Sequence, residues 1–178
     1  HIVVSPEDDV EIRRMTVTHQ GRHPRTLDIT TYAEVVLAPA ANDTAHPAFS
    51  NLFGQTELVP AQEGILCHRR PREPDEQCPW LFHMMAIHGA VERETSFETD
   101  RAAFIGRGNT AANPQALQHH AVLGNSAGAV LDPVMAIRQR IRLKPGVPVI
   151  IDMVYGISET RLQSLALLEK YRDHHIAD

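Results

Sequence analysis

What this sequence has little of narrows its function before any motif is considered. It carries two cysteines, Cys67 and Cys78, too few for the disulfide framework of a small secreted domain and not needed in a chain this long. A reducing compartment is favoured. Positive charge is also short, with 17 Lys and Arg against 22 Asp and Glu and a formal charge of −5, whereas a duplex-binding surface needs a net basic face. Nucleic acid is therefore not an expected partner. Long apolar runs are missing, since Val147 to Val154 is too short and too interrupted to cross a bilayer. There is no phosphate loop, dinucleotide fingerprint or internal repeat. G-N-S-A-G at 124–128 lacks the surrounding pattern of a nucleophile elbow.

What remains is the composition of one globular unit. A chain of 178 residues, 43% apolar and 22% charged, suits a single well-cored domain. His1 leads straight into Ile-Val-Val without a targeting pattern, and a helix-like stretch stops abruptly at Asp178. Both ends read as cuts inside a longer polypeptide.

The periodicity is that of strands. Ile2 to Ser5 reads as a short strand and Val10 to His19 as a longer one, whose apolar residues change parity between Ile12 and Met15. A β-bulge near Arg13-Arg14 would restore the inward phase. Leu27 to Leu37 alternates cleanly. Ala38 to Pro47 has no period and reads as a long loop, while Phe49 to Phe53 fits a helical turn or a strand entry equally. Gln55 to Val59 and Ile65 to Arg70 form a hairpin around Ala61 to Gly64. Pro71 to Pro79 is an exposed connector. Trp80 to Ile87 is apolar on both parities and suits a central strand.

Further on, Met135, Ile137, Ile141 and Leu143 alternate with Arg138, Arg140 and Arg142, which predicts a strand with a basic outer face. Lys144-Pro145-Gly146 turns it into a partner strand, Val147 to Tyr155. Ser158 then reads as the N-cap of a helix carrying Leu162, Leu165, Leu168 and Tyr171. About nine strands followed by one helix favour a large antiparallel sandwich.

The candidate functional stretch is Phe97 to Ala116. It begins as a strand, breaks at Gly106 and Gly108, and presents Arg107, Asn109, Thr110 and Asn113 on a loop closed by Pro114. Glycines permit turns that other residues resist, and polar loops on a rigid β scaffold carry binding chemistry. Sugar hydroxyls need fixed donors and acceptors, and amides supply both. A second loop, Leu117 to Gly128, holds His119, His120 and Asn125.

Other constellations have plainer readings. Glu98 and Asp100 share one strand face and fit paired carboxylates for glycoside hydrolysis, with ion pairs at a strand end as the commoner explanation. The His119-His120 and His174-His175 pairs and the His83 to His88 spacing lack acidic or cysteine partners at metal-site spacing. No metal or cofactor is expected. The Arg138, Arg140, Arg142 ridge suits a phosphate or acidic partner, but a solvated or domain-covering face explains it as well. Trp80 and Tyr155 lie in strands that read as core.

Four ordered stretches carry a family resemblance: T-Y-A-E-V-V-L-A-P at 31–39, A-H-P-A-F-S-N-L-F at 45–53, F-E-T-D-R-A-A-F-I-G-R-G at 97–108 and G-A-V-L-D-P-V at 128–134. Together they resemble the β-sandwich domain of glycoside hydrolase family 94, formerly glycosyltransferase family 36, and within it the cyclic β-1,2-glucan synthase region. The resemblance implies a mainly β, galactose-mutarotase-like antiparallel supersandwich over 1–157. It also implies that 158–178 begin a helical linker to an (α/α)6 barrel bearing the general-acid aspartate.

The chain alone is then expected to be a non-catalytic, carbohydrate-associated domain whose partners are that barrel and a β-glucan or glucoside. Its parent would be a glycosyltransferase or glycoside phosphorylase. The resemblance nominates Arg107, Asn109 and Asn113 as sugar-contacting residues, with Arg101 bracing their loop. It implies a cytoplasmic portion, of an inner-membrane protein in the synthases. Two alternatives stay open: an interdomain or homo-oligomerisation module, and a stand-alone mutarotase or lyase using His83 with Glu98.

Overall fold

A computed structural model describes residues 1–71, 73, 75–90, 93–118 and 122–173. The chain forms β1 (Ile2–Val4), β2 (Val10–Thr18), β3 (Arg25–Thr30), β4 (Ala33–Glu34), α1 (Ala40–Ala45), α2 (Pro47–Asn51), β5 (Gly54–Val59) and β6 (Gly64–Arg69). After these come β7 (Trp80–His88), β8 (Arg93–Asp100), α3 (Arg101–Ile105), α4 (Gln115–Gln118), β9 (Pro133–Leu143), β10 (Pro148–Ser158) and α5 (Arg161–Tyr171). The mainly antiparallel architecture and the C-terminal helix agree with the sequence reading. The segment read as a long loop, Ala38 to Pro47, differs because α1 occupies 40–45, and of the two readings of Phe49 to Phe53 the helical one holds for its first part, in α2.

One sheet has six strands in the order β1-β2-β10-β7-β6-β5. In the other, β9 pairs with β3, β4 and β8. Because β3 meets Leu143 to Arg138 and β4 meets Met135 to Val134, these two follow one another along one edge of β9 and β8 takes the opposite edge. The β5–β6 hairpin is as expected. The β9–β10 pairing is not: β10 pairs with β2 and β7, so Lys144-Pro145-Gly146 carries the chain across the sandwich instead of closing a hairpin. Burial explains the choice, since β10 has apolar residues on both parities and needs cover on both faces.

The six-stranded sheet is covered on both sides. Towards the smaller sheet, Ile65, Cys67, Met85, Ile87, Val149 and Ile151 pack against Phe97, Met135, Ile137, Ile141 and Leu143. On its other face Val10, Ile12, Leu66, Phe82, Met84 and Val154 lie under Leu168 and Tyr171 of α5. This double cover removes the need for a bulge in β2. Its register with β10 runs unbroken from Val10↔Gly156 to Thr18↔Pro148. Val10 and Ile12 face the helix, and Val17 faces the opposite sheet.

The N-cap of α5 is Thr160, not Ser158, and it forms a capping box with Gln163. The buried stripe of α5 is Ser164, Leu168 and Tyr171, while Leu162 is exposed. Leu168 sits against Gly64, where an added Cβ would come within 3.2 Å of it. The helix end is tied to the β1–β2 turn: the Tyr171 hydroxyl is 2.7 Å from Asp8 Oδ2 and 2.8 Å from Ser5 Oγ, and Lys170 Nζ donates to Asp8 Oδ2 at 2.7 Å. Among the described residues no helix is long and apolar enough to cross a membrane.

A third, smaller cluster covers the outer face of the small sheet: Phe104, Ile105 and Leu123 against Ala136, with Tyr32 and Ala116 at its margin. Under this cover the basic ridge is not uniformly solvated. Arg138 is buried and donates to Thr30 Oγ1 at 2.9 Å and to the Ala116 carbonyl at 2.6 Å. Arg140 forks onto Asp28, and only Arg142 is exposed.

Candidate functional site

The candidate loop is launched by the end of β8. Register shifts between Glu98 and Asp100, and Glu98 Oε1 fills the bulge by accepting from the backbone N–H groups of Thr99 and Asp100, each at 3.0 Å. Asp100 then caps α3, its Oδ1 accepting from Ala102 N–H at 2.8 Å. The strand that opens the Phe97 to Ala116 stretch therefore stops at Asp100, and the residues before Gly106 form α3. Among the described residues the ion pairs at this strand end are made by Arg101, with Glu34 and Asp132.

Arg101 ties the start of the loop to two other segments. Its Nε donates to Glu34 Oε1 at 3.1 Å, Nη1 lies 3.8 Å from Asp132 Oδ2, and its backbone N–H donates to the Asp132 carbonyl. The Tyr32 hydroxyl donates to the same Glu34 oxygen at 3.0 Å, and its ring packs on Phe104 at 4.8 Å. The hydrogen bond from Arg101, followed by that from Tyr32, holds the Glu34 carboxyl below its usual pKa. Burial raises the Tyr32 hydroxyl.

Gly106 ends α3 at φ +79, and any side chain there would overlap Gln115. The next turn is held by Asn109 N–H to the Gly106 carbonyl at 3.3 Å and Asn113 N–H to the Thr110 carbonyl at 3.0 Å. Gln118 Nε2 donates to Asn109 Oδ1 at 3.2 Å, so one end of that amide is already engaged. Arg107 and Asn113 are exposed. The loop thus places Arg107, Asn109 and Asn113 on one short segment, with Arg101 at its base.

The neighbouring 122–128 segment runs beside β8. Leu123 N–H donates to Ser96 Oγ, and Phe97 and Asn125 exchange two hydrogen bonds, Phe97 N–H to Asn125 Oδ1 at 2.8 Å and Asn125 N–H to the Phe97 carbonyl at 2.7 Å. Asn125 adopts φ +57, a conformation asparagine tolerates. The Ser126 carbonyl accepts from Thr99 Oγ1 at 2.8 Å, so this G-N-S-A-G is a strapping loop. The sequence reading missed Tyr32, Glu34 and Asp132 as the partners of Arg101. It also missed the role of Gly124-Asn125, although that dipeptide is a turn signal.

His83 does not face a cleft. Its ring is fully buried, stacked on Tyr155 at 4.0 Å, with Nδ1 donating to the Val154 carbonyl at 2.9 Å and Nε2 2.7 Å from Thr31 Oγ1. Burial pushes its pKa down to about 4. Both nitrogens are committed, which removes it as a proton carrier paired with Glu98. Cys67 is buried and Cys78 half-buried, both as free thiols. Among the described residues no group of three or more His, Cys, Asp and Glu is placed to hold a metal ion. The His119-His120 and His174-His175 pairs lie outside the described residues.

Two packed antiparallel sheets, a helix on the outer face of the larger and a braced loop at the end of the smaller define a supersandwich domain. The family model for the glycosyl hydrolase 94 supersandwich domain matches residues 1–174, and the chain belongs to this family. It is 35% identical over 144 residues to the cyclic β-(1,2)-glucan synthase NdvB of Rhizobium meliloti (strain 1021), a match covering 81% of this chain and 5% of the synthase. It is 24% identical over 158 residues to the solabiose phosphorylase of Paenibacillus borealis, covering 89% of this chain and 19% of that protein. The chain therefore spans a small part of both relatives.

Proposed function

We propose that this chain is a non-catalytic, carbohydrate-associated domain of a cyclic β-1,2-glucan synthase-like or disaccharide phosphorylase-like enzyme. In this reading it supports and partly lines the sugar cleft of an (α/α)6 barrel in the same polypeptide, with residues from 158 onward leading into a helical linker. The observation that carries the reading is the loop from Arg107 to Asn113. It is fixed at its base by Asp100, Arg101 and Gly106, yet holds Arg107 and Asn113 exposed. A guanidinium and amides carried on a backbone held at its base suit recognition of sugar hydroxyls without any reacting group.

Titration of the chain with β-1,2-glucan oligomers, followed by the backbone amides of Arg107 to Asn113, tests it. Shifts confined to that loop are expected. Their absence at millimolar ligand would favour a second reading, that of an interdomain or oligomerisation module. The exposed apolar residues Val36, Phe49, Leu52 and Leu131 favour that alternative.

A further inference from the structure

Only one oxygen of Glu98 is accounted for by the bulge it fills. The residue is 3% exposed, and Oε1 takes both backbone donors. No described residue donates to Oε2. Oε2 is reached from the adjoining cavity, so a donor entering that cavity can bond to it. Oε2 also lies where a Cβ on Gly124 would come within 2.7 Å of it.

Glu98 lines a cleft-like cavity of about 170 Å³ together with Ala103, Phe104, Gln115, Ala116 and Leu123, with the more exposed Val122 at its rim. Ordinary ligand pockets run roughly 300–1,000 Å³, so this one has room for a single ring, not for an oligosaccharide. Its chemistry is mixed: one fixed anionic acceptor, one amide offering both a donor and an acceptor, and apolar walls. Arg138 stands on the same face of the small sheet. Arg138 pairs with Ser96 two residues before Glu98 and reaches the Ala116 carbonyl.

We propose that this cavity binds one pyranose ring, with hydroxyl groups donating to Glu98 Oε2, the Gln115 amide completing the polar contacts, and a C–H face of the sugar lying on the Phe104 and Leu123 walls. The choice of ligand rests on the carbohydrate-associated reading above. The site itself is separate from the Arg107 to Asn113 loop.

The test is a titration of the chain with methyl β-D-glucopyranoside, read at the backbone amides of Ala116, Leu123 and Gly124, with methylammonium as the competing probe. Saturable shifts at those amides with the glucoside are expected, and methylammonium should leave them still. Gly124→Ala should weaken binding roughly tenfold or more. Its backbone is not in the left-handed region, and its new Cβ displaces only the end of the Glu98 side chain, so the fold should persist. Glu98→Gln, which turns the open acceptor into a donor, should weaken binding similarly.

No saturable shift with the glucoside, unchanged affinity in a folded Gly124→Ala variant, or shifts produced by methylammonium instead would each overturn the proposal. Loop shifts with glucan oligomers beside a silent cavity would sink this inference alone. Cavity shifts beside a silent loop would sink only the loop assignment.

Discussion

Thr31 and His83 join the two sheets by one buried hydrogen bond, Oγ1 to Nε2 at 2.7 Å. Because Nδ1 faces the Val154 carbonyl at 2.9 Å, it must carry the proton, and Nε2 accepts from the threonine hydroxyl. That hydroxyl in turn accepts from Ile137 N–H at 3.1 Å. A second proton on the ring would turn Nε2 into a donor and shift the threonine proton onto the Ile137 carbonyl, 3.3 Å away.

The domain should therefore lose stability in acid through His83. Burial lowers its pKa from 6.5 to about 4 in the folded state, so between those values the unfolded chain binds a proton that the folded chain does not. Stability from this group is complete above pH 6.5, falls as pH drops towards about 4, and levels off below. The span corresponds to about 3 kcal/mol. Urea midpoints across that range should show the slope in the native chain and a flatter profile in His83→Gln. Equal slopes in both would remove His83 as the cause.

A second polar pair sits on the opposite face of the larger sheet. Arg14 Nε donates to Asp152 Oδ1 at 2.7 Å and Nη2 donates to Oδ2 at 3.0 Å, with the Asp152 side chain 1% exposed. Removing one partner of such a buried pair costs about 3–5 kcal/mol, whereas replacing both by apolar groups is often neutral. Asp152→Ala should lower the urea midpoint accordingly. The double substitution Arg14→Met with Asp152→Leu should recover most of the loss, and failure to recover would mean that the pair fixes the β2–β10 register.

These two pairs show where the sequence was readable. Trp80 to Ile87 was legible as a central strand because its apolar residues fall on both parities, and the β5–β6 hairpin because a turn separates two short runs. The same double-faced burial misled the reading of β2, where a parity change meant a change of covering layer and not a bulge. Partner choice was hidden as well: β9 and β10 are joined by a tight turn yet lie in different sheets, and nothing local in Lys144-Pro145-Gly146 says so. In the candidate site the glycines marked the loop, but the burial of Arg138 beneath Ala116 and the Glu34–Arg101–Asp132 brace depend on contacts distant in sequence.

Gly106 and Gly108 have nearly the same φ, +79 and +80, but different surroundings. Nothing lies within 4 Å of a Cβ on Gly108, whereas one on Gly106 would overlap Gln115. Gly108→Ala should cost about 1 kcal/mol from backbone strain alone. Gly106→Ala should cost more and should speed amide exchange at Asn109 and Leu117, because α4 must move. Equal effects in thermal melts would mean that the α3–α4 contact yields freely.

The two thiols should react very differently. Burial raises Cys67 to about 12, and its side chain has no exposure. Cys78 is half-buried, and its pKa is also raised, by burial and by Glu76. Thiolate is the reacting form, so a disulfide reagent at neutral pH should modify Cys78 slowly and Cys67 only on unfolding. A Cys78→Ser variant labelled at native-state speed would contradict the packing around Cys67.

Arg101 separates bracing from stability. Its pairs with Glu34 and Asp132 are well exposed, and exposed pairs contribute about 0–1 kcal/mol. Arg101→Gln should therefore shift the melting transition little. Its effect should appear in Glu34, whose carboxyl is held low first by the hydrogen bond from Arg101 and then by Tyr32. Without the guanidinium, the Glu34 titration followed by carboxyl-carbon NMR should move up towards its ordinary value. If the bracing role is right, the amides of Arg107 to Asn113 should broaden or exchange faster in the same variant. A raised Glu34 pKa with an undisturbed loop would leave Arg101 as a surface ion pair and nothing more.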